Sequence, residues 1–404
     1  MEIRPILSTL RRHKTAASLI VMQIALSCAI ICNALFLISG RIERMQRPTG
    51  MADDELVRVI AAGIGRNTDP DAQAKNDLAA LRAIPGVKSV VLTNQIPFDG
   101  SSWNTSVGIK PKQPMPTLNA ATYLGGEDLL ETFGLKLIAG RDFRPEEYLD
   151  FAKLETAPSF AIPGVIVSKS MADAMFPGQD PLGKLLHDGW GDKPIPVIGV
   201  VETLIRPSEN GPAENYYSMI LPIRPTSGRF VLRTEPSRRD ELLKAAVASL
   251  ERTSKSRIIL KQDLVGKVFS DYYRQDKAMV WLLGSLSVAL LVVTALGIVG
   301  LASFWVQQRT KQIGVRRALG ATRGQILRYF QTENFLLASI GIVIGMLGAY
   351  GLNQLLMTQY ELPRLPAIYL PVGAVTLWLL GQVAVFGPAK RAAAVPPAVA
   401  TRSV

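Results

Sequence analysis

The sequence is poor in the side chains that carry most hydrolytic chemistry and most metal binding. Its 404 residues include two histidines, His13 and His187, and two cysteines, Cys28 and Cys32. A Ser/His/Asp triad or a zinc site needs imidazole or thiolate groups held close together. The histidines lie far apart, and residues 41–277 contain no cysteine, so that region must fold without disulfides. A catalytic pair of carboxylates could still lie in that region, but no spacing among its acidic residues indicates one.

Charged residues are nearly absent from four long stretches, in which the apolar residues concentrate. The composition is 48% hydrophobic and the mean hydropathy is positive, which is too apolar for an ordinary soluble protein. Each stretch has close to or more than the roughly 20 residues that cross a hydrocarbon core. We therefore predict transmembrane helices at residues 15–40, 278–306, 333–357 and 368–387.

The first stretch follows LRRHK, so a cleaved signal peptide is the alternative to a membrane anchor. Its apolar run is about twice the 7 to 15 residues of a signal-peptide core. The sequence ISGRIERM after it offers no small-x-small cleavage site. The pattern favours a retained anchor, in which Cys28 and Cys32 lie one turn apart and serve as small packing residues.

Basic residues lie at positions that predict the orientation in the membrane. Residues 1–14, 307–332 and 388–404 carry net charges of +3, +6 and +3, which equal the whole net charge of +12. Cytoplasmic segments are typically enriched in lysine and arginine. We therefore expect both termini and the loop at 307–332 to be cytoplasmic, with 41–277 and the short loop 358–367 outside. The basic balance is a topology signal, so nucleic acid is not an expected partner.

The large polar region has the pattern of a mixed α/β domain, with two subdomains as a possible division. Short apolar runs predict strands at 57–64, 87–93, 118–124, 165–167, 195–201, 217–222, 230–233 and 257–260. Helical periodicity predicts helices at 76–84, 127–133, 169–175 and 238–252. Ser237 is predicted to cap the last of these, with Asp240 completing a capping box.

The octapeptide GQDPLGKL at residues 178–185 resembles a nucleotide-binding P-loop but lacks its essential features. Leu185 replaces the hydroxyl residue that would hold magnesium, and Pro181 removes a backbone N–H donor. The segment also follows a predicted helix instead of a strand. We interpret it as a tight turn before the strand at 195–201.

Two features of the predicted spans concern helix packing and mechanics. Gly341, Gly345 and Gly348 form a small-residue stripe that allows a neighbouring helix to approach closely, either in the same subunit or in a second one. The segment from Lys267 into the second span has no proline, so one helix is predicted to run unbroken from the outer domain into lipid.

The absence of acids near the midplane of the spans disfavours an ion-coupled carrier.

The loop between the second and third spans carries a family resemblance. It contains IGVRRALGAT, followed by an E-x-x-x-L step from Glu333 to Leu337, and the chain ends with P-A-K-R-A-A-x-x-x-P from Pro388 to Pro397. Together with one span, a large outer domain and three further spans, these motifs are similar to the MacB/FtsX-like family of ABC transporter permeases. The segment FPGQDPLGKLL, followed by IPVIGVV, is similar to a structural turn of that family's periplasmic domain.

The resemblance implies a fold of four transmembrane α-helices with a large MacB-like α/β domain between the first two. It also implies that the short helix of the loop docks an ATPase subunit. The docking segment carried over from the family motif comprises Ile313, Gly314, Val315, Arg316, Arg317, Ala318, Leu319 and Gly320. ATP and magnesium would be bound by that partner, and this chain would itself be neither an enzyme nor a cofactor-binding protein.

The resemblance further implies a permease subunit of the bacterial inner membrane, surrounded by lipid and paired with a second permease, identical or not. In MacB an ATPase domain precedes the first span, whereas about 14 residues do so here, so the ATPase is expected to be a separate chain. Export with a periplasmic membrane-fusion adaptor and an outer-membrane channel is the expected function. An FtsX-like subunit that regulates a cell-wall hydrolase and a lipoprotein-releasing permease are alternatives within the family. A membrane-anchored enzyme is an alternative outside it.

Overall fold

The computed structural model describes residues 14–64, 69–111, 113–156, 160–187, 193–209, 214–360 and 364–396. His13, the N-terminal arginines and the final Pro397 lie outside these residues. The helices are α1 (Lys14–Met45), α2 (Pro70–Arg82), α3 (Leu129–Phe133), α4 (Phe151–Thr156), α5 (Lys169–Met175), α6 (Arg239–Thr253), α7 (Val265–Tyr272), α8 (Arg274–Gln308), α9 (Thr310–Ala318), α10 (Arg323–Tyr360) and α11 (Tyr369–Ala393).

The strands are β1 (Leu56–Gly63), β2 (Ser89–Thr93), β3 (Asn104–Val107), β4 (Leu118–Leu124), β5 (Leu137–Gly140), β6 (Leu149–Asp150), β7 (Val165–Ser168), β8 (Leu185–Leu186), β9 (Ile195–Val201), β10 (Ser218–Leu221), β11 (Ile223–Arg224), β12 (Arg229–Arg233) and β13 (Arg257–Leu264). The chain forms two compact units. The described residues up to Gln46 and from Gln275 onward form the helical domain, and the described residues between Arg47 and Arg274 form the α/β domain.

In the described part of the chain, four helices of the helical domain are long and apolar enough to cross a membrane. They are α1, α8, α10 and α11, and each extends beyond its predicted span at one end or at both. The α10 helix begins at Arg323, ten residues before the predicted span, because the basic stretch of the loop is itself helical. The hydrophobic core is formed mainly by α1, α10 and α11, and α8 adds Ile298, Ala302 and Trp305 to it while leaving most of its apolar surface uncovered.

Polar residues within the apolar helices bond to neighbouring helices. Gln23 on α1 donates to the Val293 carbonyl on α8 at 3.0 Å, and Asn33 on α1 donates to the Ala349 carbonyl on α10 at 3.2 Å. The Ser27 hydroxyl lies 2.8 Å from that of Thr294. Lipid offers no hydrogen-bond partners, so such contacts favour specific helix pairs.

One half of the α/β domain is a split βαβ arrangement. Its sheet has the order β13-β1-β12-β2 with antiparallel neighbours, and α2 and α6 are its two helices. The helices cover a core that includes Val59, Leu81, Leu232 and Leu250. Residues between β2 and β12 form the second half, so this fold is interrupted by a long insertion.

The insertion contains a larger mixed sheet with the order β3-β4-β10-β7-β9-β5 and β8 paired to β9. Parallel pairs join β4 to β10 and β7 to β9, while the other neighbours are antiparallel. Its separate core includes Val165, Met171, Val197 and Leu221. The predicted mixed α/β character is therefore confirmed, and each half has a core of its own.

Local geometry corrects two of the predictions for this region. The helix α7 ends at Tyr272, and Tyr273 forms a turn before α8 begins, so the expected unbroken helix is interrupted. Ser237 lies in a short 3-10 turn (Pro236–Arg238), and Arg238 precedes α6 without a side-chain cap bond. The tight turn places Ser237 too early in the chain to cap the helix, so that prediction was wrong.

Candidate functional site

The short helix α9 ends in a well-defined turn that leads into α10. At its end, Gly320 adopts a φ of 96°, and the N–H groups of Gly320 and Ala321 donate to the carbonyls of Arg317 and Arg316. This is the Schellman pattern, which favours glycine because the left-handed region is strained for other residues. Thr322 and Gln325 then cap α10 reciprocally, at 2.8 and 3.3 Å.

The segment predicted to dock an ATPase divides into two faces. Ile313 and Gly314 are buried, and Ile313 packs with Ile326 and Phe330 of α10 and with alanines of α11. Val315 and Leu319, one turn apart, are 49% and 83% exposed. The exposed neighbours are Arg316, Ala318 and Gly320, while Arg317 is half-buried and donates to the Ala321 carbonyl at 3.2 Å. The outward face is thus apolar and basic, and the inward face fixes α9 to the helical domain.

A buried ion pair joins the end of α8 to α10 beside this helix. Arg309 donates through Nη1 to both carboxylate oxygens of Glu333, at 3.0 and 2.9 Å. Their side chains are 9% and 1% exposed, and the guanidinium lies over the Trp305 ring at 5.5 Å. Sequence reasoning placed Glu333 at the edge of a span but did not find its partner. An acid at the start of a predicted apolar span, 24 residues after an arginine, was the available signal.

The three glycines of the predicted packing stripe lie at different distances from α1. A Cβ atom on Gly341 would lie 2.9 Å from the Ile24 Cβ atom, and one on Gly345 would lie 2.5 Å from that of Cys28. At Gly348 the nearest atom, the Cβ of Ala29, would be at 3.7 Å, an ordinary contact. The structure therefore provides a neighbour within the same chain for Gly341 and Gly345, and Gly348 is exposed.

A second charged cluster joins α1 to α8 at the opposite end of these helices. Arg41 and Arg44 on α1 both pair with Asp276 on α8, and the Asp276 side chain is 8% exposed. The prediction from sequence placed these residues in the outer domain and missed the pairing, because they are more than 200 positions apart.

The octapeptide GQDPLGKL forms a turn between α5 and β8. Gly178 and Gly183 adopt φ angles of 69° and 74°, Asp180 accepts from the Leu182 N–H at 3.0 Å, and the Lys184 ammonium donates to Gln179 at 2.9 Å. The Gly183 N–H donates to the Val197 carbonyl. The loop's donors are thus used within the domain, which confirms the interpretation as a structural turn.

Ionisable groups of the α/β domain are shifted by structural contacts. Arg141 forms a two-pronged pair with Glu147 at 2.7 and 2.6 Å, and these bonds lower the pKa of Glu147 to about 2. Burial raises the pKa of Asp53 to about 6, although the Thr49 hydroxyl donates to it at 2.7 Å. Across the described residues, no group of three or more His, Cys, Asp or Glu side chains has the arrangement of a metal site.

The comparisons with known protein families match both domains. Residues 19–252 match the MacB-like periplasmic core domain, and residues 284–397 match the FtsX-like permease C-terminal domain. This combination defines an ABC transporter permease with a large extracytoplasmic domain. The chain belongs to the MacB/FtsX-like family of these permeases.

Relatives of this chain differ in how much of their own length they share with it. The uncharacterized ABC transporter permease YknZ of Bacillus subtilis (strain 168) is 24% identical over 417 residues, which cover 99% of this chain and 98% of YknZ. The macrolide export ATP-binding/permease protein MacB of Agrobacterium fabrum is 25% identical, and the match covers 86% of this chain and 54% of MacB. The chain thus spans about half the length of that MacB.

The extracellular domain of YknZ from Gram-positive bacteria has a solved crystal structure. It aligns with this chain at a TM-score of 0.32 and 17% identity, covering 50% of this chain and 100% of that domain.

Proposed function

We propose that the chain is the permease subunit of an export complex, driven by an ATPase that docks on the outward face of α9. The carrying observation is the exposed apolar pair Val315 and Leu319 next to Arg316 on a helix anchored by the buried Ile313. An apolar anchor within a charged rim is a common arrangement at protein interfaces. Because Arg309 and Glu333 join α8 to α10 beside this helix, a push on α9 would reach the spans through rigid contacts.

The ATPase is proposed to be a separate polypeptide that binds ATP and magnesium, so that this chain has no catalytic residues of its own. The match along nearly the whole of YknZ, a protein named as a permease, supports this division. The family membership itself implies an ATPase partner.

Export is the favoured role within the family because of the names of the relatives. MacB proteins are named for macrolide export, and PvdT of Pseudomonas fluorescens, 21% identical over 98% of this chain, is named for pyoverdine export. The cargo of this chain is not specified by those names. A periplasmic adaptor and an outer-membrane channel are proposed partners, and an adaptor that copurifies would separate export from control of a cell-wall hydrolase.

A second permease subunit is proposed to pack on the helical domain in the bacterial inner membrane. The helix α8 supports this, because Trp281, Leu282, Val288 and Leu296 are 59 to 80% exposed along it. Lipid would cover the apolar surface that remains. We propose cytoplasmic termini and a periplasmic α/β domain from the distribution of basic residues.

The docking proposal is tested by reversing the charge on α9. The double change Arg316→Glu and Arg317→Glu is expected to abolish binding of the cognate ATPase and to uncouple ATP hydrolysis from export, with membrane insertion unchanged. Both effects follow from the reversal of charge at a surface that presents two basic side chains in the unsubstituted chain. ATPase copurification and transport-stimulated ATP hydrolysis in reconstituted vesicles provide the measurements.

The matched control is Arg323→Glu with Arg328→Glu, which makes the same change in net charge at exposed positions on α10. It should retain ATPase binding, because neither residue lies on α9. Full coupling in the α9 variant, or equal loss in the two variants, would show that this helix is not the docking surface.

A further inference from the structure

A cavity of about 150 Å³ lies between α9 and the first two turns of α10. Its polar lining includes Arg309, Gln312, Arg316 and Gln325, and Ile326 and Tyr329 contribute apolar surface. No acidic side chain lines it among the described residues. The cavity therefore presents hydrogen-bond donors in an electropositive setting.

Arg309 lines this cavity, and one of its guanidinium nitrogens lacks a hydrogen-bond partner. Its Nη1 atom donates to Glu333, whereas Nη2 is buried and makes no hydrogen bond within the described residues. The side chain is 9% exposed, so bulk water does not solvate this group freely. A buried donor without an acceptor is unfavourable, and such a group in a native fold points to a missing acceptor.

A second guanidinium lies at the same cavity. Arg316 stacks over the Tyr329 ring, with Cζ 5.1 Å from the ring centroid, and makes no hydrogen bond or ion pair in the described part of the chain. The Gln325 Oε1 atom accepts from the Thr322 N–H, so the amide nitrogen of Gln325 is the group left to donate. Two guanidinium groups and two amides thus line one small volume.

We infer that this cavity binds a phosphate group, presented by the headgroup of an anionic phospholipid or taken up as free phosphate. Guanidinium groups match phosphate oxygens in geometry and charge better than an ammonium group does. The lipid source is favoured by position. The cavity is lined by Arg309, which directly follows the apolar helix α8, and by the first turns of the apolar helix α10. The loop at 307–332 has six basic residues and no acid. Basic pockets between transmembrane helices bind such headgroups.

Three variants of the full chain separate this site from general attraction to basic residues. Arg309→Lys keeps a charge opposite Glu333 but removes Nη2, and Arg316→Gln removes the second guanidinium. Arg317→Gln is the matched control, because it removes an adjacent charge from the same helix at a position that does not line the cavity.

Native mass spectrometry of the detergent-purified full chain supplies the measurement, with separate titrations of phosphatidylglycerol, phosphatidylcholine and inorganic phosphate. We expect phosphatidylglycerol to bind, with the affinity lowered about tenfold or more by Arg309→Lys and by Arg316→Gln, and changed by less than about twofold by Arg317→Gln. The same dependence for inorganic phosphate alone would support the site with a soluble source.

Three outcomes would overturn the inference. The first is that neither phosphatidylglycerol nor inorganic phosphate binds. The second is an equal loss of affinity in Arg316→Gln and Arg317→Gln. The third is equal binding of phosphatidylcholine and phosphatidylglycerol in every variant. Thermal melting of each variant confirms that it is folded before titration. The experiment needs no ATPase, so it is independent of the proposed docking role.

Discussion

Glu147 in the α/β domain is bound by both prongs of the Arg141 guanidinium and by the Arg144 N–H, at 2.7 Å. These bonds favour its ionised form, so its pKa falls from 4.5 to about 2 on folding. A depressed pKa stabilises the fold above the unfolded value, and this contribution is lost as the pH falls from 4.5 through 2. Glu147→Gln should therefore destabilise the protein at pH 7 but scarcely at pH 2.

We expect a loss of about 1 to 2 kcal/mol at pH 7, because Arg141 is 41% exposed and solvent screens the pair. Thermal melting of the full chain in detergent at pH 7 and at pH 2 to 3 measures the difference. The neighbouring Glu146→Gln is the control, since Glu146 is exposed and makes no hydrogen bond in the described part of the chain. A destabilisation that does not change with pH would contradict the linkage.

The buried pair of Arg309 and Glu333 makes a different prediction at the residue scale. Arg309→Gln leaves the Glu333 carboxylate buried without its counter-charge, which should cost about 3 to 5 kcal/mol. The double variant Arg309→Gln with Glu333→Gln removes both charges and keeps the shape of the Glu333 side chain, so most of the stability should return. Thermal midpoints in detergent measure both, and equal destabilisation of the single and double variants would argue against a paired interaction.

Among the helices, α1 and α10 depend on close approach at Gly345. A Cβ atom there would meet the Cβ atom of Cys28 at 2.5 Å and the carbonyl oxygen of Ala25 at 2.6 Å, and backbone atoms cannot move aside independently. We expect Gly345→Ala to separate the two helices and to lower stability by about 1 to 3 kcal/mol. Gly351→Ala on the same helix is the control, because no atom lies within 4 Å of its Cβ position.

The control should be neutral or slightly stabilising, since alanine is a better helix former than glycine. Thermal melting of both variants in detergent shows whether steric crowding against α1 or helix propensity determines the change in stability. Equal effects at the two positions would mean that the approach of α1 to Gly345 does not contribute to stability.

Individual elements could be predicted from sequence where a local pattern determines them. The strands at 118–124 and 195–201 and the helix at 169–175 were predicted with the bounds that the structure shows. The start of α2 was missed, although Asp69 before Pro70 is a helix-start signal and its side chain caps the Ala72 N–H. The strands β3 and β5 were missed because they are short and only partly buried.

At the scale of the whole molecule, the apolar spans were predictable because lipid imposes a long, nearly uncharged run on each helix. The split βαβ fold could not be predicted, because β1 pairs with β12 and β13 across the whole insertion. The local sequence does not determine the register of such distant strands. The same limit applies to the candidate site. The family resemblance implied a short helix in the loop, and α9 lies there, but the inward position of Ile313 depends on its contacts with α10 and α11.

The proposed orientation of the whole chain rests on its basic segments and can be tested with single cysteines. Met115 in the α/β domain and Leu319 on α9 are 79% and 83% exposed, whereas the native Cys28 and Cys32 are fully buried. In spheroplasts, a membrane-impermeant maleimide should label Met115→Cys, and it should label Leu319→Cys only after permeabilisation. The unsubstituted chain should remain unlabelled in both conditions. Labelling of Leu319→Cys from outside would reverse the proposed topology and remove α9 from the reach of a cytoplasmic ATPase.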